Sequence, residues 1–250
     1  MNCNLLNENF NCVILKKMED IIRRYRQLEL LDRRKGERSH EYVKRVLTQN
    51  IMDWRLKPGE QIDEAQLCGL FQVSRTPIRE ALIGMKHSGL VDIYPQKGTY
   101  VSLLNTTMIE QTQYLRKELE PKLAMLACDR KTEEDIARFH ENMALLRFYN
   151  STNIDKQFSC DMQFHALIYK TCHMDYLQEV VSQASMHLDR MRKLCSMDRG
   201  YQNTIDDHQR ILDAIESGNK DAAFSYMTIH LSTTLDDMAL LKGKYPEYFE

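Results

Sequence analysis

Asp161 and His165 stand four residues apart, so on a helix they turn a carboxylate and an imidazole to the same side. Phe158 and Ile168 share that side, which makes it core-facing. His208 sits among Ile205, Ile211, Leu212 and Ile215 on the apolar stripe of a later helix, and His230 follows Ala223, Tyr226 and Met227 on the next. Three imidazoles and a carboxylate aimed into one bundle interior are costly unless something satisfies them, and a divalent cation would. A single inward histidine is more often a hydrogen-bonded core residue, and an Asp-x-x-x-His spacing alone is a weak signal. Taken as residues alone, the set of four leaves both readings open. Its mixture of hard and borderline donors suits zinc first, with nickel, manganese or iron also possible, and four protein ligands on an octahedral ion leave two positions for water or a carboxylate. Of the other histidines, His187 could face the same cavity, while His140 and His173 match no pattern. Cys160 points about 100° away from Asp161 on a helix and is not counted as a ligand.

A second chemistry lies in residues 62 to 101, IDEAQLCGLFQVSRTPIREALIGMKHSGLVDIYPQKGTYV. Ser74 suits an N-cap that accepts a backbone N–H, and Pro77 falls in the first turn of the helix that follows. Ile78, Leu82, Ile83 and Met85 recur at helical spacing, and Gly89 closes the helix in the left-handed region. Arg75, Thr76 and Arg79 lie at the solvent-facing start of that helix. There the positive dipole end faces phosphate and the arginines can reach guanine edges in a major groove. Leu90 to Ile93 and Thr99 to Leu103 are β-prone runs around the turn Tyr94-Pro95-Gln96-Lys97-Gly98, giving a two-stranded wing that projects Lys97. Asp63 to Phe71 reads as the preceding short helix, with Leu67 and Leu70 inward. A small bundle with a solvated basic face is the blander alternative, and charge placement alone would not exclude it.

Residue order does more. Leu56-Lys57-Pro58-Gly59-Glu60, Val73-Ser74-Arg75-Thr76-Pro77-Ile78-Arg79-Glu80-Ala81-Leu82, Gly89-Leu90-Val91 and Gly98 together resemble the GntR family of bacterial transcription regulators over residues 40 to 104. By that resemblance Arg75, Thr76 and Arg79 contact DNA, with Lys97, Gly98 and Thr99 at the wing. Some relatives carry a further arginine in the preceding helix, where this chain has Ala65 and Gln66. The remainder resembles the FadR C-terminal domain subgroup, an all-helical effector domain whose members commonly bind a metal through an Asp-x-x-x-His pair and two later histidines. Asp161 and His165 in CDMQFHALIY, His208 in DDHQRILDAIESGN and His230 in DAAFSYMTIHL fit that pattern. Arg116 shares a helix face with Thr112, Leu119 and Leu123 and could reach the interior, or it could pair with Glu120 at the surface. The resemblance favours an anchor for an anionic effector.

The elements that must position these residues follow from length and pattern. A chain of 250 residues with 43% apolar content can hold two modest cores. The net charge of −2 conceals an asymmetry: residues 1 to 104 hold 17 Lys+Arg against 13 Asp+Glu, and 105 to 250 hold 17 against 23. A basic first half is compatible with phosphate, and an acidic second half is unsuited to lie along DNA. No apolar run approaches a membrane span and the N-terminus lacks the order of a secretory signal. Seven cysteines without a Cys-x-x-Cys pair argue against a disulfide framework, so a reducing cytoplasm is the expected compartment.

The expected architecture is mainly α. It comprises an N-terminal extension (1–39, partly disordered or helical), a winged helix-turn-helix domain (40–104) and an all-helical bundle (105–250) for ligand, metal and dimerisation. In the extension, residues 1 to 17 read as disordered, and Met18 to Lys35 could form a helix that is either solvated or close to DNA or a partner. Tyr42 to Trp54 is the first helix of the DNA-binding domain. Six helices are expected in the bundle, at about 106–129, 133–149, 154–172, 175–195, 201–217 and 220–241, with Asn105 and Thr132 as N-caps, Pro121 kinking the first, and Gly218-Asn219 joining the last two.

These readings lead to a DNA-binding regulator rather than an enzyme. It would act as a homodimer on a palindromic operator, mainly as a repressor, and would sense a small organic or sugar acid through the metal and Arg116. Two alternatives stay open on sequence alone: a winged helix with a metal-free dimerisation bundle, and a metal-dependent hydrolase fused to a DNA-binding module.

Overall fold

The apolar periodicities resolve into two units, residues 1–102 and 103–250. The computed structural model describes residues 25, 27–150, 152–199 and 202–250. The expectations of disorder over 1–17 and of a helix over 18–24 lie outside the described residues.

In the first unit, α1 (Ser39–Met52), α2 (Glu64–Phe71) and α3 (Arg75–His87) pack around Val43, Val46, Leu47, Leu67, Ile78, Leu82 and Met85, all buried. Ile83 departs from expectation: it is 52% exposed, one position past the stripe formed by Ile78, Ala81, Leu82 and Met85. Asp63 caps α2 by accepting the N–H groups of Ala65 and Gln66. Ser74 occupies the N-cap position of α3 without a side-chain hydrogen bond, so its backbone sets the entry but its hydroxyl does not cap. The helix ends as Gly89 predicts. At φ +70° Gly89 donates to Lys86 O and Leu90 donates to Met85 O, which satisfies two terminal carbonyls.

The wing is a three-stranded sheet rather than a two-stranded one. β2 (Val91–Tyr94) and β3 (Gly98–Val101) form the expected antiparallel hairpin, and β1 (Gln61–Ile62) adds to the far edge of β3, giving the order β1-β3-β2. Two residues are too short to show a period-2 pattern, so β1 left no signal in the sequence.

Within the extension Tyr25 is helical, whereas residues 27–38 are not. Tyr25 and Leu28 are buried, the Asp63 N–H donates to the Tyr25 hydroxyl at 2.7 Å, and the Asn50 side chain accepts from Glu29 N and donates to Glu29 O. Those bonds satisfy a backbone that a helix would have satisfied internally.

The second unit contains α4 (Thr106–Arg130), α5 (Glu133–Tyr149), α6 (Ile154–Thr171), α7 (Asp175–Ala184), α8 (Met186–Arg199), α9 (Gln202–Ser217), α10 (Lys220–His230) and α11 (Thr234–Lys244). Asn105 and Thr132 cap α4 and α5, and α4 runs through Pro121. Two expected helices are each divided. Between α7 and α8 the Ser185 hydroxyl turns back to Val181 O, and after α10 the run Ser232-Thr233-Thr234 carries hydroxyls that compete for backbone groups, as Ser232 does at Ile229 O. Gly218 (φ +74°) and Asn219 join α9 to α10 as expected. A single core of Leu123, Phe139, Met143, Phe164, Ile168, Ile211, Leu212 and Met227 holds α4, α5, α6, α9 and α10 together. Among the described residues no helix is long and apolar enough to cross a membrane.

Candidate metal centre and DNA-reading surface

Asn153 starts α6 by accepting the Lys156 N–H, and the helix then buries Phe158, Asp161, Phe164, His165 and Ile168 along one stripe. α9 presents His208 between Ile205, Ile211 and Leu212, with its ring stacked on Phe164 at 3.9 Å and 10°. His230 is the last residue of α10.

The four residues meet. His230 Nε2 lies 3.3 Å from His208 Nε2 and 3.4 Å from His165 Nε2, and His208 Nε2 lies 3.6 Å from Asp161 Oδ1. One donor atom from each falls within 4.8 Å of the others. Ligands on bonds of about 2.1 Å would stand about 3.4 Å apart at the tetrahedral angle and about 3.0 Å at a right angle, so the spacing fits a cation. Burial pulls His165 down to about 4, against the opposing pull of Glu120, and burial with the neighbouring imidazoles pulls His208 well below its usual range. Both imidazoles are therefore neutral at pH 7, the form that binds a metal.

The surrounding shell orients this set. His165 Nδ1 is 2.8 Å from Glu120 Oε2, a close approach that is not aligned as a directed hydrogen bond, and His230 Nδ1 is 3.4 Å from Asp207 Oδ2. Carboxylates behind metal-binding imidazoles fix tautomer and ring orientation. His208 Nδ1 is buried without a hydrogen-bond partner among the described residues. Arg116 makes the Glu120 pair expected of it, at 2.6 Å, but the pair is buried at 3% and 1% exposure rather than on the surface. Burial opposes the charged form of Glu120, yet Arg116 and His165 outweigh it and hold the carboxyl well below the usual range.

Arg116, Glu120 and His165 also line a cavity of about 50 Å³, together with Tyr169, Ser182 and Arg192. Arg192 is the residue that pattern reading missed. It reaches from α8 to Asp161 Oδ2 and to Asp189 Oδ1, and in sequence it is one cation in the charged run DRMRK with no motif position. His187 does not face this cavity but accepts the Asn105 N–H at 3.1 Å, and His140 pairs with Glu216 in solvent. His173 ends a helical turn at φ +57°.

In the first unit Arg75, Thr76 and Arg79 are exposed on the first two turns of α3, which carries no acidic residue in its opening turn. Arg79 Nε is paired with Glu64 Oε2 on α2 at 3.0 Å. At the wing, Lys97 is exposed beyond a turn with Gln96 at φ +63°. Thr99 is 4% exposed, opposite Ile62 and Ile93 in the sheet, so its side chain offers little surface at the wing. Gly98 sits at φ +116°, and a Cβ there would come within 2.9 Å of Gln61 Nε2, so its glycine identity has a structural cause.

A helix-turn-helix with an exposed basic N-terminal turn and a wing, joined to a helical second unit, defines a winged-helix DNA-binding transcriptional regulator. The chain belongs to the gntR family of bacterial regulatory proteins, matched over residues 40–101, and carries an FCD domain over residues 113–233. It is 24% identical over 213 residues to the HTH-type transcriptional repressor RspR of Escherichia coli, covering 84% of this chain and 93% of that protein. It is 29% identical over 221 residues to the HTH-type transcriptional regulator LutR of Bacillus subtilis, covering 79% and 98%. Among solved structures, Escherichia coli McbR/YncC shares the fold at a TM-score of 0.68 and 20% identity, over 84% of this chain and 99% of that one.

Proposed function

We propose that this regulator senses a small organic or sugar acid through a divalent cation held by Asp161, His165, His208 and His230. The observation that carries the reading is the meeting of three Nε2 atoms and one carboxylate oxygen within 4.8 Å. A bound cation would supply a Lewis-acidic centre for an oxygen ligand at the cavity edge.

Charge and size support the effector class. The carboxyls of Glu120, Asp161, Asp189 and Asp207 surround the site and face the guanidinium groups of Arg116 and Arg192. A divalent cation would offset the excess of carboxylates and leave Arg116 as the charged anchor for an anion. A cavity of about 50 Å³ holds on the order of four water positions, which suits a short acid with Arg116 as its anchor.

DNA is read by Arg75, Thr76 and Arg79 from α3, with Lys97 and the Gly98 backbone following the wing. The chain acts in the cytoplasm as a homodimer on a palindrome, as a repressor whose effector favours one arrangement of its two winged helices over another. Metal analysis of protein purified without a histidine tag, joined to thermal shift against a panel of carboxylates, tests this. About one equivalent of metal per chain, and stabilisation by small carboxylates that a chelator abolishes, are expected. Absence of both would leave a metal-free dimerisation bundle.

A further inference from the structure

The extension places four cations within six residues, Arg33, Arg34, Lys35 and Arg38, immediately before residue 40, where the family match begins. We propose that this turn is a second DNA-binding element, which grips backbone phosphates flanking the groove read by α3.

The turn is anchored, not trailing. Tyr25 and Leu28 are buried in the first unit, and fully buried Asn50 makes three side-chain hydrogen bonds, two of them to the Glu29 backbone. Gly36, at φ +78°, lets the chain reverse while Glu37 N donates to Arg34 O. Arg45 then clamps the loop from α1, donating to Asp32 O at 2.8 Å and to both Glu37 carboxylate oxygens at 2.7 and 2.8 Å. That clamp also neutralises Glu37 internally, which leaves Asp32 as the exposed acid beside the four cations. Arg33 is held over the Tyr42 ring and donates to Ser39 Oγ. The side chains of Arg34, Lys35 and Arg38 are exposed and make no ion pair with the described residues.

Position decides which anion they meet. Two residues past Arg38, His40 Nδ1 lies 3.5 Å from Glu80 Oε2 on α3, one helical turn after Thr76. Tyr42 packs edge-on, at 5.7 Å, against Phe71, which ends α2 just before the turn into α3. The basic turn therefore borders the face that presents Arg75, Thr76 and Arg79. Packed helices stand roughly 8–10 Å apart, and a major groove is about 12 Å wide, so a helix in the groove leaves the turn beside the strand that borders it. An anchored loop forfeits little conformational entropy when a phosphate binds. Phosphate binding of this kind adds affinity and fixes register without reading sequence.

The test uses full-length protein and a fluorescein-labelled 40-base-pair duplex of arbitrary sequence, because phosphate binding does not require an operator. Anisotropy titrations across salt concentrations should give a triple variant, R34Q/K35Q/R38Q, a shallower log K against log salt slope, by about 0.9 for each phosphate that is no longer neutralised. At about 0.1 M salt its binding should be at least roughly tenfold weaker. Each single variant should lower the slope by about 0.9, and R34K/R38K should keep it. A charge-matched control in the second unit, K117Q/K122Q/K170Q, should bind as wild type does. Circular dichroism and the thermal midpoint should be unchanged in all of them, since the replaced side chains are exposed. Equal slopes for wild type and triple variant would overturn the proposal, as would an equal drop in the control, which would reduce the effect to net charge.

Discussion

Arg192 holds one oxygen of Asp161 and leaves the other to the histidines. Its guanidinium pairs with Oδ2, while Oδ1 stands 3.6 Å from His208 Nε2. A buried carboxylate is thereby balanced before any cation arrives, and its metal-facing oxygen stays aimed. Removing one partner of a buried ion pair strands the other, at about 3–5 kcal/mol, and the partial exposure of Arg192 places it at the lower end. Arg192→Gln should therefore lower the chelator-treated stability by about 3 kcal/mol, and zinc should recover most of that loss by replacing the missing positive charge. Thermal or urea unfolding with and without zinc checks this. An equal loss in both conditions would mean that Arg192 is unconnected to the site.

His208 contributes packing as well as a donor atom. It is fully buried and stacked on Phe164. His208→Ala should reduce metal content to background and, in chelator, cost about 2–4 kcal/mol from the cavity left against the Phe164 ring. Elemental analysis and urea unfolding report the two effects separately. Retention of a full metal equivalent would remove His208 from the ligand set.

Protonation should work in the same direction in the metal-free protein. His165 titrates at about 4 in the folded chain and His208 well below its usual range, whereas both take up a proton near 6.5 when unfolded. Below about 6.5 the unfolded state binds more protons, so stability falls as pH drops from 6.5 toward 4, with a slope of up to about 1.4 kcal/mol per pH unit for each histidine. Above about 6.5 this contribution is fully present. Chelator-treated protein should show this loss between about pH 6.5 and 5, and His208→Gln should show a shallower one. Matching slopes would place the effect elsewhere.

The parts of the fold visible in the sequence were those with a repeating signal. α5 and α6 follow their 3.6-residue apolar stripes, Asn105 and Thr132 accept the capping N–H groups of α4 and α5, and Gly89 and Gly218 stand where the chain turns left-handed. Asp161, His165, His208 and His230 were legible because an inward polar residue is conspicuous on an apolar stripe. The helix breaks at Ser185 and around Ser232 were not, because a hydroxyl that bonds back to a carbonyl four or three residues earlier looks the same in sequence as one that faces water. Arg192 was hidden for a related reason. Its partner Asp161 is 31 residues away, and only the packing of α8 on α6 makes the charge meaningful.

Thr99 and Gly98 separate two meanings of a motif residue. Thr99 is buried and Gly98 is required by a φ of +116° and by the nearness of Gln61, so both hold the wing in shape behind the exposed Lys97. Gly98→Ala should destabilise the first unit by about 1–3 kcal/mol, the range for a side chain forced into a sparsely populated backbone region. Lys97→Gln should leave stability unchanged and weaken DNA binding. Unfolding curves and anisotropy on the same preparations distinguish the roles. A stable Gly98→Ala protein with weakened DNA binding would return Gly98 to the DNA-facing surface.

Arg79 is held in the free protein by a residue that DNA must displace. Its Nε lies 3.0 Å from Glu64 Oε2, across the gap between α2 and α3, with the two side chains 61% and 31% exposed. An exposed pair of this kind contributes little to stability, about 0–1 kcal/mol, so its consequence lies in presentation. Glu64 both fixes the direction of the guanidinium and places a negative charge next to the phosphates that approach it. Glu64→Gln should therefore leave the thermal midpoint nearly unchanged and tighten non-specific DNA binding, by removing the repulsion. Arg79→Ala should cost about 1–3 kcal/mol of operator binding, the worth of a bidentate guanine interaction, with little change on unrelated sequence. Selection of an operator from a random duplex pool, followed by titrations on operator and scrambled duplexes, measures both. If Arg79→Ala weakened both duplexes equally, Arg79 would bind phosphate, and sequence reading would rest on Arg75 and Thr76.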